Sequence, residues 1–310
     1  MPPVFHRHST GEEVAKAFTS RIEGKTFIIT GISIGGIGTA TAIALSYGIP
    51  KTLFLTGRTL FKIEPVIAEI AKISPSTKTV FVSLDLADLD SVRQAAKTVL
   101  ESGDAEVVHG LINNAGVMCS PYGKTKQGIE GHFLWTNLLL PRVPAAGPNV
   151  RILNVASSVY VMSDVNLDDL TWSLAYGSSK TSVILFNAYL SEYLKGKGVQ
   201  CFALQPGTPL YIHTQVPDSL VSASEAMRII VEKYAGSDIP TGDLAEDEKT
   251  LETAASTLVL AAANPDLDDK SGTFLRNCKP FPVESYATDL ESAERLWKVS
   301  EELVGEKFDI

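Results

Sequence analysis

The 310-residue chain has 27 Lys and Arg against 36 Asp and Glu, a formal net charge of −9, with 45% apolar and 20% charged residues. That length can bury roughly three quarters of its unfolded surface in one large core, and the acidic balance gives no general attraction for nucleic acid or an anionic membrane. No run approaches the ~20 apolar residues that cross a bilayer, so no membrane span is expected. Residues 1–10 lack the basic start and apolar run of a secretory signal, and Cys119, Cys201 and Cys278 stand far apart, which favours a reducing, cytoplasmic compartment.

In chain order, Thr10-Gly11-Glu12-Glu13 opens a capped helix through Phe18 in an N-terminal arm, residues 1–24, read as packing rather than chemistry. Thr26 to Thr30 is a buried strand, followed by a glycine-rich stretch at 31–38 and an apolar helix to about Tyr47. Strand 51–56, helix 60–73, strand 78–83 and helix 88–101 come next. Further strands fall near 107–112, 150–155 and 199–204, separated by helices near 129–142 and 176–195. After Pro206-Gly207, residues 208–245 turn irregular around a helix at 222–234, and helix 249–263, a strand at 273–275 and helix 289–304 close the chain. This alternation predicts an α/β, doubly wound, Rossmann-like fold with a predominantly parallel central sheet.

The glycine-rich stretch reads Thr30-Gly31-Ile32-Ser33-Ile34-Gly35-Gly36-Ile37-Gly38. A strand entering it and a helix leaving it aim backbone N–H groups and the positive helix end at a pyrophosphate, and the glycines permit close approach. An isolated glycine cluster is as often only a turn; the strand and helix alternation around this one favours a dinucleotide site. Residues 25–310 then form a single dinucleotide-binding and catalytic domain, with substrate loops mainly at 208–245, beyond strand C-termini. Gly31 to Gly36 holds one more intervening residue than the familiar loop of this kind.

Together Thr30 through Gly38, Asp85-Leu86, Asn113-Asn114-Ala115-Gly116, Asn154 through Ser158, Tyr176-Gly177-Ser178-Ser179-Lys180 and Pro206-Gly207 give a chain that resembles the short-chain dehydrogenase/reductase family. The resemblance covers almost the whole chain and is strongest to a fungal NADP-dependent branch similar to retinol dehydrogenases and WW-domain-containing oxidoreductases. It implies Asp85 and Leu86 near the adenine, Asn113 through Gly116 as a cofactor floor, and Pro206-Gly207 beside the nicotinamide. It also implies that Lys180 binds the nicotinamide ribose, and that a homodimer forms through the helices around 131–142 and 176–195.

Arg58 follows Leu55-Thr56-Gly57 at the end of the second strand, where an acid commonly holds the adenine ribose hydroxyls. A guanidinium there suits a 2′-phosphate, so NADP(H) is the expected cofactor, with Ser33 as a weaker hydroxyl donor; the alternative is a solvated arginine at a strand end. Tyr176 and Lys180, four apart, share one helix face. An ammonium beside a phenol favours its ionised form, and the phenol can pass the proton that accompanies hydride transfer at a carbonyl carbon. The resemblance makes Ser157, the serine that follows a small residue in the family pattern, the preferred group for orienting the substrate oxygen, with Ser158 the alternative; either serves only where negative charge develops. Cys119 is read as packing, His132 as a helix or core-edge residue, His213 as a pocket contact and Asp168-Asp169 as capping; no zinc spacing is present and the hydride chemistry needs no metal.

Compared with the family, Gly128-Ile129-Glu130 runs straight into Gly131-His132-Phe133, without the stretch that elsewhere carries a proton-relay asparagine. Collinear alignment puts Gly128 at that position, and the route from Asp164 to Tyr176 is also short. Specialisation, partial loss of activity or omitted segments each account for this. The leading function is reduction of a small or medium, hydrophobic carbonyl compound by NADPH or the reverse alcohol oxidation, with Leu210, Tyr211, Ile212, Val216, Leu220 and Val221 suggesting an apolar pocket or lid. The alternative is a catalytically weak NADP-binding interaction protein.

Overall fold

The computed structural model describes residues 3–117, 125–127, 131–143, 147, 149–165, 175–209 and 248–309. Helix α1 (Gly11–Ala17) starts with the capping box read from sequence: Glu13 N–H donates to Thr10 Oγ1, and Thr10 N–H donates to Glu13 Oε2. A short α2 (Thr19–Ile22) leads into β1 (Thr26–Ile29). The first half continues as α3 (Ile37–Ser46), β2 (Thr52–Gly57), α4 (Glu64–Ile73), β3 (Lys78–Ser83) and α5 (Leu89–Leu100). The second half is β4 (Gly110–Asn113), α6 (His132–Leu139), β5 (Val150–Val155), α7 (Ala175–Tyr193) and β6 (Val199–Gln205). A two-residue β7 (Thr208–Pro209) pairs in parallel with β8 (Glu248–Lys249), followed by α8 (Leu251–Ala263), β9 (Phe274–Arg276), β10 (Lys279–Pro280) and α9 (Leu290–Val304).

The main sheet has eight strands in the order β10-β9-β6-β5-β4-β1-β2-β3, all parallel except β10 on β9. Strands β1, β4 and β5 are buried along their whole length, as expected where helices cover both faces. One core joins α1, α3, α4 and α8 to one face, and a second joins α5, α6, α7 and α9 to the other. The order reverses between β1 and β4, so a crevice opens beyond their C-terminal ends.

The N-terminal arm packs into the first core. Val14 and Ala15 are fully buried, and a Cβ on Gly11 would lie 2.7 Å from Ala44 Cβ, so only glycine lets α1 approach α3 this closely. On the other face Trp297 of α9 stacks with Phe186, at 5.9 Å between centroids, and sits 4.9 Å from Tyr189 and 5.0 Å from Phe133. Helix α9 thereby covers the α6 and α7 faces that bear these rings.

At the N-terminal edge of the sheet, Thr26 N–H donates to His109 Nδ1 at 3.1 Å. Burial, with Lys25 and Lys51 nearby, pushes His109 down to about 4 from 6.5. The native ring stays neutral while the unfolded ring takes up a proton, so stability should fall as pH drops from about 6.5 towards 4. Water screening of a half-buried ring limits the loss to roughly 1–2 kcal/mol. Denaturation midpoints across that window check this; His109→Asn, whose Oδ1 can accept the same N–H, should flatten the slope.

Candidate active site and dinucleotide cradle

The glycine-rich loop leaves β1 through Gly31 (φ +76°) and turns again at Gly35 (φ +73°), conformations that carry no penalty for glycine. A Cβ on Gly31 would stand 2.6 Å from Ala115 Cα, and one on Gly38 would stand 2.5 Å from Asn114 Nδ2. The additional loop residue is absorbed in a tight turn. Ser33 carbonyl accepts from Gly36 N–H at 2.9 Å and from Thr39 Oγ1 at 2.6 Å, which leaves Ser33 and Ile34 exposed. Gly36 caps α3 without a side-chain bond, so the first N–H groups of a ten-residue helix remain for a ligand. Such a cradle fits a pyrophosphate.

Ile32 N–H donates to the Thr56 carbonyl at 3.0 Å, and a Cβ on Gly57 would stand 3.1 Å from the Ile32 carbonyl. The end of β2 is thereby drawn against the loop that carries Ser33, with Arg58 exposed on the next residue. Asp85, half-buried after β3, accepts from Ala87 N–H at 3.0 Å, and its own N–H donates to Ser91 Oγ. The Leu86 carbonyl accepts from Gly131 N–H at 2.9 Å, and Lys126 reaches Asp88 at 2.9 Å. The Lys126 and Gln127 bonds hold Asp88 down to about 2. The Gly131 bond ties the start of α6 to the loop after β3, and the Lys126 bond ties residues 125–127 to the start of α5.

Thr30 organises the floor. Its fully buried Oγ1 accepts from the N–H groups of Asn114 and Ala115, each at 3.0 Å, and lies 3.0 Å from His132 Nε2. Asn114 Nδ2 donates to the Thr30 carbonyl at 2.8 Å. Beneath, Asn113 Nδ2 donates to Thr136 Oγ1 at 2.8 Å and Asn154 Oδ1 at 2.9 Å, and Asn154 Nδ2 donates to Asn187 Oδ1 at 3.1 Å. This buried polar chain fastens β4 and β5 to α6 and α7.

Helix α7 presents Tyr176 and Lys180 one turn apart. Lys180 is buried, its Nζ lies 5.5 Å from the Tyr176 ring centroid, and it donates to the Val155 carbonyl at 3.0 Å. The same Nζ would lie 3.7 Å from a Cβ on Gly116. Three stretches of sequence, ending β4, ending β5 and opening α7, therefore converge on one ammonium. Ser157 is half-buried and its Oγ accepts from Val159 N–H at 3.3 Å, whereas Ser158 is buried at 5% exposure; the access favours Ser157. On the neighbouring strand, Ala156 N–H donates to the Leu204 carbonyl at 2.8 Å, and β6 runs on to buried Pro206 and Gly207 (φ +98°). A Cβ on Gly207 would collide with Lys249 Cδ at 2.6 Å.

Cys201 and Cys278 are buried free thiols, and burial pushes both up. Among the described residues no group of three or more His, Cys, Asp or Glu could hold a metal, and no helix is long and apolar enough to cross a membrane. Cys119, Gly128, Asp168, Asp169, His213, the apolar residues from Leu210 to Val221 and the helix expected at 222–234 lie outside the described residues. Two contacts were not read from sequence. His132, read as a helix or core-edge residue and found as the first residue of α6, also bonds the Thr30 hydroxyl, and Lys249 packs on Gly207; the local signal was the placement of His132 straight after the Gly128–Gly131 stretch.

The sequence profile of the short chain dehydrogenase family matches residues 25–223. The chain belongs to that family. It is an NAD(P)-dependent oxidoreductase of the short-chain type, a class that interconverts carbonyl compounds and alcohols. Among its relatives, mouse retinol dehydrogenase 12 is 31% identical over 303 residues, 93% of this chain and 89% of that protein. Human retinol dehydrogenase 13 is 35% identical over 302 residues, 92% and 86% respectively. A fungal relative, oxidoreductase fscI of Fusarium equiseti, is 32% identical over 246 residues, 66% of this chain and 95% of that one. The fold is shared with the angucycline C-6 ketoreductase LanV with bound NADP, at TM-score 0.58 and 20% identity over 82% of this chain and 94% of that one. L-sorbose reductase of Gluconobacter frateurii, complexed with NADPH and L-sorbose, matches at TM-score 0.58 and 17% identity over 85% and 98%.

Proposed function

We propose that the chain is an NADPH-dependent carbonyl reductase, running in reverse as an alcohol dehydrogenase, on a small or medium hydrophobic substrate. The observation that carries this is the convergence of Lys180 Nζ, the Tyr176 ring and Gly116 beside the glycine cradle. Bound NADPH supplies the hydride. The Tyr176 hydroxyl gives its proton to the substrate oxygen, Lys180 stabilises the charge left on the phenol and holds the ribose, and Ser157 orients the oxygen. Gly31, Ser33, Gly35, Gly36, Ile37 and Gly38 cradle the phosphates; Asp85 and Leu86 border the adenine, Asn114 through Gly116 the floor, and Pro206-Gly207 the nicotinamide. The substrate loops are assigned mainly to residues 208–245.

We place the protein in the cytoplasm, in the fungal NADP-dependent branch akin to retinol dehydrogenases and WW-domain-containing oxidoreductases that the resemblance implies; the retinol dehydrogenase relatives support the kinship with that group alone. The homodimer implied by the resemblance would use only those parts of α6 and α7 that α9 leaves uncovered.

A second reading, a catalytically weak NADP-binding interaction protein, is favoured by one observation: in the collinear alignment Gly128 brings no carboxamide to the relay position. A panel of aldehydes, ketones and alcohols separates the readings. NADPH consumption matched by alcohol formation supports the reductase, and tight NADPH binding with no turnover supports the interaction protein.

Arg58→Ala tests the cofactor. Loss of charge-assisted bonds to a 2′-phosphate should weaken NADPH binding about tenfold or more and leave NADH within about twofold. Equal losses for both cofactors in equilibrium titrations would remove Arg58 from the phosphate site.

A further inference from the structure

We propose that His132 is a positioning residue of the dinucleotide site, acting through the Thr30 hydroxyl on the backbone of Asn114 and Ala115. A threonine hydroxyl has two acceptor lone pairs and one proton. Both lone pairs of Thr30 Oγ1 face N–H groups, those of Asn114 and Ala115 at 3.0 Å each, the Asn114 N–H being shared with the Ile112 carbonyl at 3.1 Å. Its proton therefore goes to His132 Nε2, 3.0 Å away. In this geometry Nε2 accepts and the ring carries its hydrogen on Nδ1, because an Nε2–H would meet a hydroxyl with no acceptor left to offer.

The bond fixes the Thr30 rotamer, and with it the direction of two N–H groups. Asn114, so held, donates Nδ2 to the Thr30 carbonyl at 2.8 Å and to the Gly31 carbonyl at 3.4 Å. The same amide stands where a Cβ on Gly38 would fall, 2.5 Å away. The path from His132 thus runs through Thr30 and Asn114 to Gly31 and Gly38 of the pyrophosphate cradle. It enters from α6, whose start is bonded through Gly131 N–H to the Leu86 carbonyl in the loop assigned to the adenine. A single imidazole couples the start of the shortened α6 to both ends of the cradle. This assignment rests on the dinucleotide reading of the site.

The test uses the full chain. In the cofactor-free protein, side-chain nitrogen NMR should show His132 protonated on Nδ1 and bare on Nε2; an Nε2–H tautomer overturns the proposal whether or not a dinucleotide binds. NADPH and NADH titrations then follow for His132→Met, His132→Gln, Thr30→Val and the Thr30→Val/His132→Met pair, each checked for folding by thermal unfolding. His132→Met should weaken both cofactors about tenfold and equally, unlike Arg58→Ala, and should speed amide exchange at Asn114 and Ala115. His132→Gln, which keeps an acceptor oxygen at similar reach, should stay within about threefold of wild type. The double variant should bind no worse than Thr30→Val alone, since one relay has already been cut. Additive losses, or a glutamine variant as weak as the methionine, overturn the proposal. If the wild-type chain binds neither cofactor, the dinucleotide reading fails, while the tautomer and the exchange rates still decide the relay.

Discussion

Single-turnover hydride transfer by Tyr176→Phe is expected to run at least about a hundredfold slower than by wild type, with NADPH affinity within about threefold. Phenylalanine preserves the ring that Lys180 Nζ faces at 5.5 Å and removes only the hydroxyl. Lys180 keeps its bond to the Val155 carbonyl and its place beside Gly116, so the cofactor floor should be undisturbed. In the proposed role, what disappears is the proton that reaches the substrate oxygen as charge builds there, and water in a crevice is a poorly placed substitute. The chemical step itself has to be measured, by rapid mixing of the NADPH-loaded protein with an active carbonyl substrate. A steady-state rate alone would also register product release. An undiminished chemical step would take Tyr176 out of the reaction and leave Ser157 or a water as the donor.

The layers of this fold were legible because the local signals agree. The buried strand Thr26–Ile29 is a continuous β-forming run that leads through a glycine turn into the apolar helix Ile37–Ser46. The capping box at Thr10 and Glu13 was visible for the same reason, since both partners lie within one helical turn. Strand β9 was read at 273–275, but β7, β8 and β10 were not, because two-residue strands have no periodicity and exist only through partners elsewhere in the chain. The expected helix near 129–142 divides into α6 and a 3-10 turn at Leu140–Arg142, where Pro141 lacks the N–H that continued helix would need.

At the candidate site, the glycine turn and the shared helix face of Tyr176 and Lys180 were legible from local spacing, whereas the contact of His132 is with Thr30, 102 residues away. Arg151 is the same lesson in the core. An arginine in a strand reads as an edge or surface residue, yet its side chain is 0% exposed, because its partners come from the loop after α8.

That arginine carries the largest stability effect expected. Arg151 donates to the Leu267 carbonyl at 3.4 Å, to the Asn264 carbonyl at 3.2 Å and to the Asp268 carboxylate. Its guanidinium also lies 5.3 Å from the Phe202 ring. Burial pushes it down to about 10, with Asp268 opposing the shift. Arg21 of α2 grips the same carboxylate through two bonds at 2.7 and 3.1 Å, so Asp268 joins the N-terminal arm, β5 and the loop after α8. Asp268→Ala would leave a buried guanidinium without its counter-charge and should destabilise the chain by about 3 kcal/mol or more, measured as a fall in the denaturant midpoint at constant slope. Arg21→Ala should cost no more than about 1 kcal/mol, because that side chain is 25% exposed and its loss leaves the inner pair intact. Replacing both inner partners, Arg151→Met with Asp268→Leu, should recover most of the loss, since the penalty comes from the orphaned charge rather than from the missing bond. A drop below about 1 kcal/mol for Asp268→Ala would mean that the Asn264 and Leu267 carbonyls suffice to hold the cation, and that the arm is fastened by the packing of Val14, Ala15 and Ile22 alone.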